Sequence, residues 1–300
     1  MADRQAAHLV HARPLCPAGQ VAIPHNVFVR KGRPQQASSG LPSSSLTPDT
    51  APTTTTPCQS EVGYWYCHEV EDEWGIGEVG LFAGLGTYTP SVNPNDPGAH
   101  SIGQIWGLGG GAGEPSTLET GWSVSPGQWG DDNAHLFVFH TGDDYGADSC
   151  YDGCGFVGIP GSPITAGQAI AGGGGDGGWG VLLDGGYWFF YYGGYYYGYI
   201  PEYDASWEGH PITSITEAEA GGEVSSVSSC PYTQMGSGVL GNRPGSAPVS
   251  FVVLVSPSGQ ENYLVPTQYY TDTPSGYDYD IGGRNPSIGA FTYGGPGCAG

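Results

Sequence analysis

Leu118, Thr120, Trp122 and Val124 alternate with Thr117, Glu119, Gly121 and Ser123, the period-2 pattern of a half-buried strand. The same reading predicts strands over 102–108, 134–141, 154–159, 178–184, 187–192 and 195–200. Four more are predicted over 221–228, 248–255, 261–266 and 287–293, and strand-like alternation begins near Gly75. Turn clusters such as 93–98 separate these runs, and no long stretch carries a helical period. Strands joined by Gly and Pro turns, without helices between them, predict an all-β protein built as an antiparallel β-sandwich. Gly193-Gly194 between two aromatic runs is a two-residue hairpin signal. The rings of that tract either bury area in a core or line a cleft edge, with Tyr195 and Tyr197 the cleft candidates.

Residues 33–58 break the pattern. They are rich in Pro, Ser and Thr and read as a solvated linker that cannot bury enough apolar surface to fold. The expected division is a disordered, basic segment over 1–60 and a folded domain over 61–300. Charge divides at the same point. Residues 1–60 carry Asp3 and Asp49 against Arg4, Arg13, Arg30, Lys31 and Arg33, a formal +3. The remainder holds only Arg243 and Arg284 among its fixed cations and has a formal charge of −25. Nucleic acid is excluded as a partner, because phosphate binding needs clustered Lys and Arg. Below about pH 4 most free carboxylates protonate, and little cationic repulsion remains to open the fold. The opposite signs predict a tethered pro-segment, released and removed as the domain's carboxylates protonate below about pH 5.

Seven cysteines suggest an oxidising, extracellular destination, although residues 1–20 contain no apolar run of signal-peptide length. No stretch reaches the length of a membrane span. Cys150 and Cys154 are close enough in sequence to close a small disulfide, and Cys58 and Cys67 can pair across nine residues. Cys230 and Cys298 are a long-range candidate pair and Cys16 is odd; spacing alone does not give connectivity. A zinc site from Cys150, Cys154 and a histidine lacks a second ligand pair of finger-like spacing. His135 and His140, five apart on one strand, point to opposite faces and make no metal pair. Gly236-Ser237-Gly238 misses the nucleophile-elbow spacing, and the glycine run 172–178 has no lysine or helix after it to cradle phosphate. No metal or cofactor is expected.

Glu119 and Glu223 stand alone in otherwise uncharged segments, Ser-Thr-Leu-Glu-Thr-Gly-Trp-Ser-Val (116–124) and Ala-Gly-Gly-Glu-Val-Ser-Ser-Val (220–227). A carboxylate pair set in a sheet is the minimal apparatus for hydrolysing a peptide or glycosidic bond. Gly221-Gly222 leave room for another backbone to approach just before Glu223. The pattern alone also describes two surface glutamates on solvated faces.

Other segments recur around them in a fixed order. These are Gln-Ile-Trp (104–106), Gln-Trp-Gly-Asp (128–131), His-Leu-Phe-Val-Phe-His-Thr (135–141), Ser-Cys-Tyr-Asp-Gly-Cys-Gly-Phe-Val (149–157), Gly-Tyr-Ile-Pro (198–201), Gly-Gly-Glu-Val (221–224), Gln-Met-Gly-Ser-Gly (234–238) and Tyr-Gly-Gly-Pro-Gly (293–297). In that order, over roughly 75–300, the chain resembles the neprosin family of secreted proteins. The resemblance implies two antiparallel sheets with a concave substrate face and a glutamic endopeptidase that cleaves after proline at acid pH. It also implies Glu119 and Glu223 as the catalytic pair and a Cys150–Cys154 bridge. One glutamate would be ionised and activate water while the other carries a proton. Gln104, Trp106, Trp122 and Tyr232 are candidates by position for holding substrate. The expected partner is a proline-containing peptide, bound by a monomer. Two alternatives are a glycoside hydrolase and a non-catalytic carbohydrate-binding sandwich.

Overall fold

Alternation along residues 116–124 divides the side chains between two environments. Leu118, Trp122 and Val124 enter a core shared between two sheets, while Glu119 faces the other way into a cavity. A computed structural model describes residues 53–298, except 57, 62–63, 97, 111–115, 143–144, 146–149, 153–154, 205–206, 208–209, 229–230, 265, 267, 273–275 and 282–285. In chain order the first strands are β1 Thr53–Thr56, β2 Gln59–Glu61, β3 Tyr64–Glu78, β4 Gly80–Gly86, β5 His100–Gly109, β6 Ser116–Val124 and β7 Ala134–Thr141. Then come β8 Cys150–Tyr151, β9 Val157–Gly158, β10 Ala169–Ile170, β11 Asp176–Asp184, β12 Tyr187–Tyr192 and β13 Tyr195–Pro201. The last are β14 Ile215–Ser226, β15 Ala247–Val255, β16 Glu261–Tyr263, β17 Gln268–Asp272, β18 Asp278–Asp280 and β19 Phe291–Gly294. One short helix, α1 (Pro126–Trp129), follows β6.

The first sheet runs β1-β17-β3-β14-β5-β6-β7-β10, with β2 on β3 and β8 on β7. The second runs β18-β19-β15-β4-β11-β12-β13-β9, with β16 on β15. Pairing is antiparallel throughout except for β1, which lies parallel to β17. The all-β, two-sheet sandwich is therefore the observed architecture. Polar ties cross the core between the sheets. Trp122 Nε1–H donates to the Gly86 carbonyl at 2.9 Å, and Thr120 Oγ1 and the Tyr197 hydroxyl share a bond of 2.7 Å. Gly193 and Gly194 take φ of +58° and +102° and join β12 to β13 in the expected hairpin, with Tyr192 opposite Tyr195.

Five expectations need correction. Residues 53–56, placed in a linker that cannot fold, form β1 and register with Tyr269 to Asp272; backbone pairing needs no apolar side chains, so composition missed it. The predicted strand 154–159 shrinks to β9, and 287–293 begins as a 3-10 turn over Pro286–Ile288. The predicted 221–228 starts six residues earlier, at Ile215. Alternation beginning at Gly75 catches only the end of β3, a 15-residue strand whose acidic stretch hides its periodicity. Glu69 and Glu71 on that strand are fully buried. Thr271 Oγ1 donates to Glu69 Oε1 at 2.9 Å, whereas neither oxygen of Glu71 has a hydrogen-bond partner among the described residues.

Cys58 and Cys67 are bridged, tying the chain before β2 to the start of β3. Cys298 is also disulfide-bonded. Cys154 and Cys230, and with them the expected Cys150–Cys154 bridge and the Cys230–Cys298 pairing, lie outside the described residues, as do Cys16 and residues 1–52. No helix among the described residues is long and apolar enough to cross a membrane.

Candidate active site

β5 lies between β14 and β6, and its register sets the site. Trp106 stands opposite both Glu119 and Glu219, Gln104 opposite Gly121 and Gly221, and Ile102 opposite Ser123 and Glu223. Glu119 and Glu223 therefore lie on a diagonal across three strands, with Gln104 at its midpoint. The glycines beside Gln104 are sterically required. Gly221 has φ of +152°, and a Cβ there would strike the Glu69 carbonyl oxygen. At Gly121 it would strike the Gly103 carbonyl oxygen. Without side chains at these two points, the floor between the glutamates stays low. Over it opens a cavity of about 650 Å³, which both glutamates line together with Tyr64, Tyr66, His68, His100, Trp106, Tyr145 and Glu219.

The two carboxyl groups occupy opposite electrostatic settings. Burial works against ionisation of Glu223, but hydrogen bonds and charge from His100 and His68 outweigh it and hold its pKa down at about 2. His100 Nε2 lies 2.8 Å from Glu223 Oε1, and His68 Nε2 lies 3.3 Å from Oε2. Glu119 has no such partner. Burial first, then repulsion by Glu223, push its pKa up to about 8, against hydrogen bonds from Thr117 and Tyr145. Thr117 Oγ1 donates to Oε1 at 2.8 Å and the Tyr145 hydroxyl at 2.9 Å. Trp106 Nε1–H donates to the Gln104 side-chain oxygen at 2.9 Å, which turns the Gln104 nitrogen toward Glu119 Oε2 at 3.2 Å. The two settings thus pull the pair apart, Glu223 toward its ionised form and Glu119 toward its protonated one.

A third carboxylate, Glu219, lines the same cavity, its pKa raised to about 7 by burial and by Glu217. Asp72, Glu217 and Glu219 bring one oxygen each within 4.8 Å of one another. By composition this is a donor set for a hard cation, in a part of the sheet beside the glutamate diagonal.

The sequence-based candidates separate clearly. Glu119, Glu223 and Trp106 line one cavity, and Gln104 is buried beneath it. Trp122 does not reach the cavity: it is fully buried between the sheets, on the apolar face of its own alternation. Tyr197 is likewise core, and Tyr195 sits half-exposed at the hairpin of the second sheet. Tyr232 is exposed and does not line the cavity. His135 and His140 point apart as expected, His135 toward Asp131 at 3.0 Å and His140 into the core beside Trp207. His68, His100, Thr117, Tyr145 and Glu219 were missed. Thr117 and Glu219 follow from alternation with Glu119 and Glu223, whereas the histidines and Tyr145 become visible only through pairing and a loop.

Among solved structures, scytalido-glutamic peptidase with a peptide-based transition-state analog aligns at 11% identity. The alignment covers 77% of this chain and 97% of that one, with a TM-score of 0.39. SCP-B, of the Eqolisin family of peptidases, in a complex with the tripeptide Ala-Ile-His, aligns at 11% identity over 77% and 96%, TM-score 0.40. The beta-porphyranase BpGH16B from Bacteroides plebeius aligns at 9% identity over 58% and 70%, TM-score 0.25. A sequence profile of the Neprosin family matches residues 97–296, two thirds of the chain, spanning both glutamates and every strand from β5 to β19: the chain belongs to the Neprosin family.

Proposed function

We propose that this protein is a glutamic endopeptidase that acts at acid pH, with Glu223 as general base and Glu119 as general acid. The observation that carries the reading is the unequal pair in one cavity, one carboxyl held ionised by two imidazoles and the other held protonated by burial. In the proposed step Glu223 takes a proton from water as its oxygen bonds to the scissile carbonyl carbon, and Glu119 gives its proton to the carbonyl oxygen. As the gem-diol collapses, its hydroxyl returns that proton to Glu119. The proton held by Glu223 passes to the leaving nitrogen as the C–N bond breaks. The products are an acid and an amine, and both glutamates regain their starting states.

Membership of the Neprosin family supports peptide as the substrate class. Tyr64, Tyr66 and Trp106 on the cavity wall offer ring faces that suit a pyrrolidine, which supports cleavage after proline. The Cys58–Cys67 bridge fits an oxidising, extracellular setting. Proline-containing peptides and oligosaccharides, each incubated at pH 3 and pH 7, test the reading against the carbohydrate alternatives. Cleavage of the peptide at pH 3, abolished by Glu119→Gln and by Glu223→Gln in folded protein, is expected. Retained cleavage in either variant, or hydrolysis of the oligosaccharide alone, overturns it.

A further inference from the structure

Glu223 is gripped from both neighbouring strands. β3 places His68 directly opposite it, and β5 places His100 one row further along, opposite Ser225. Each carboxylate oxygen faces one imidazole nitrogen, at 2.8 Å from His100 and 3.3 Å from His68. The far side of His100 is also specified. Ser225 Oγ–H donates to the Gly98 carbonyl at 2.9 Å, so the serine's only proton is in use. Its oxygen lies 3.1 Å from His100 Nδ1 and accepts from a hydrogen on that nitrogen. Nε2 faces a carboxylate and carries a hydrogen as well. An imidazole with hydrogens on both nitrogens is a cation. The remaining polar neighbours add no positive charge: Tyr66 packs with its ring centroid 6.1 Å from that of His100, and Glu119, Glu219 and Tyr145 share the cavity. No Lys or Arg is among the cavity-lining residues.

We propose that His100, seconded by His68, is a positioning residue that donates from Nε2 to Glu223 and from Nδ1 to Ser225 and thereby decides which glutamate is the base. The Ser225–His100–Glu223 chain superficially matches a serine triad. Ser225 is buried and its hydroxyl is spent on Gly98, so the charge runs toward the glutamate and not toward a serine nucleophile. The inference rests on Glu223 being the ionised member of the pair, and the test separates it from the peptidase reading.

Glutamate 13C-carboxyl signals, with Glu223 assigned from Glu223→Gln, are followed against pH in wild type, His100→Gln, His68→Gln and the double variant. Removing the His100 charge should raise the proton affinity of Glu223 at least tenfold, and the double variant should raise it further. Replacing His100 by Lys should recover part of the shift. The acid limb of kcat/KM should move upward by the same amount. A purely structural role would lower the rate at every pH and leave the limb in place. An unshifted Glu223 titration in folded His100→Gln and His68→Gln overturns the proposal. Should one variant fail to fold, the other carries the same comparison. If the wild type cleaves no peptide, the peptidase reading fails, while the carboxyl titration still decides the role of the histidines.

Discussion

Glu119 and Glu223 are chemically identical, and their neighbours set them apart. Two hydroxyls, Thr117 and Tyr145, donate to Glu119 and favour its ionised form, but burial and the charge on Glu223 prevail. Removing one donor should strengthen that outcome. Tyr145→Phe is expected to raise the Glu119 pKa above 8 and move the alkaline limb of kcat/KM upward by up to about one unit. A downward movement in the pH–rate profile would show that Tyr145 acts on something else. The two glutamates stood out in the sequence through the resemblance of their ordered motifs to a family, since an isolated charge in an alternating run equally describes a surface glutamate. Their histidines did not. His68 sits in Tyr-Cys-His-Glu-Val, and nothing in that segment says which of the other strands will lie beside it.

At the scale of the strand, period-2 alternation was a good guide wherever one face is apolar. The predicted bounds of β6, β7 and β12 match the observed ones. It failed on β3, where Glu69, Glu71 and Glu73 alternate along one face and imitate a solvated edge, although Glu69 and Glu71 are fully buried. It was right about Trp122, which it set on the apolar face, whereas nearness to Glu119 in sequence made that residue a substrate candidate. Trp122→Ala should therefore act on stability: a fully buried indole whose Nε1–H bonds Gly86 is worth roughly 3–5 kcal/mol. Thermal and denaturant melts should show that loss while KM of the remaining folded enzyme stays within about twofold. A large rise in KM with unchanged stability would return Trp122 to the substrate site.

The whole molecule should be most stable in acid. Glu71, Glu119 and Glu219 all have folded pKa values above the ordinary carboxylate value. The stability they add is complete below about pH 4 and is lost as pH rises through their folded values, up to about 8. Glu223 has the opposite sign: its contribution is present above about pH 4.5 and is lost only toward pH 2. A formal charge of −22 at pH 7 adds repulsion on the neutral side. The melting temperature should peak between about pH 3 and 5 and fall steadily toward pH 8; a maximum at neutral pH would contradict these assignments. The same scale bears on the basic amino-terminal segment. β1 pairs with β17, and Cys58 is tied to Cys67, so a cut at residue 60 would fall inside the bridged loop and leave the segment attached. Incubation at pH 3 should give a new amino terminus before Thr53, read by terminal sequencing. An intact chain that nonetheless cleaves added peptide at full rate would show that residues 1–52 inhibit nothing.

His68, His100 and Glu223 come from β3, β5 and β14, and His100 is 123 positions away from Glu223 along the chain. A slip of one residue in β14 would turn Glu223 into the opposite face of the sheet. Long-range pairings of this kind form late, after most of the entropy of loop closure has been lost. A chain in which β3, β5 and β14 have not yet paired therefore does not hold Glu223 between its two histidines. Whatever the cavity does, its ionised carboxylate and the two imidazoles that hold it are properties of the assembled sheet and of no shorter piece of the chain.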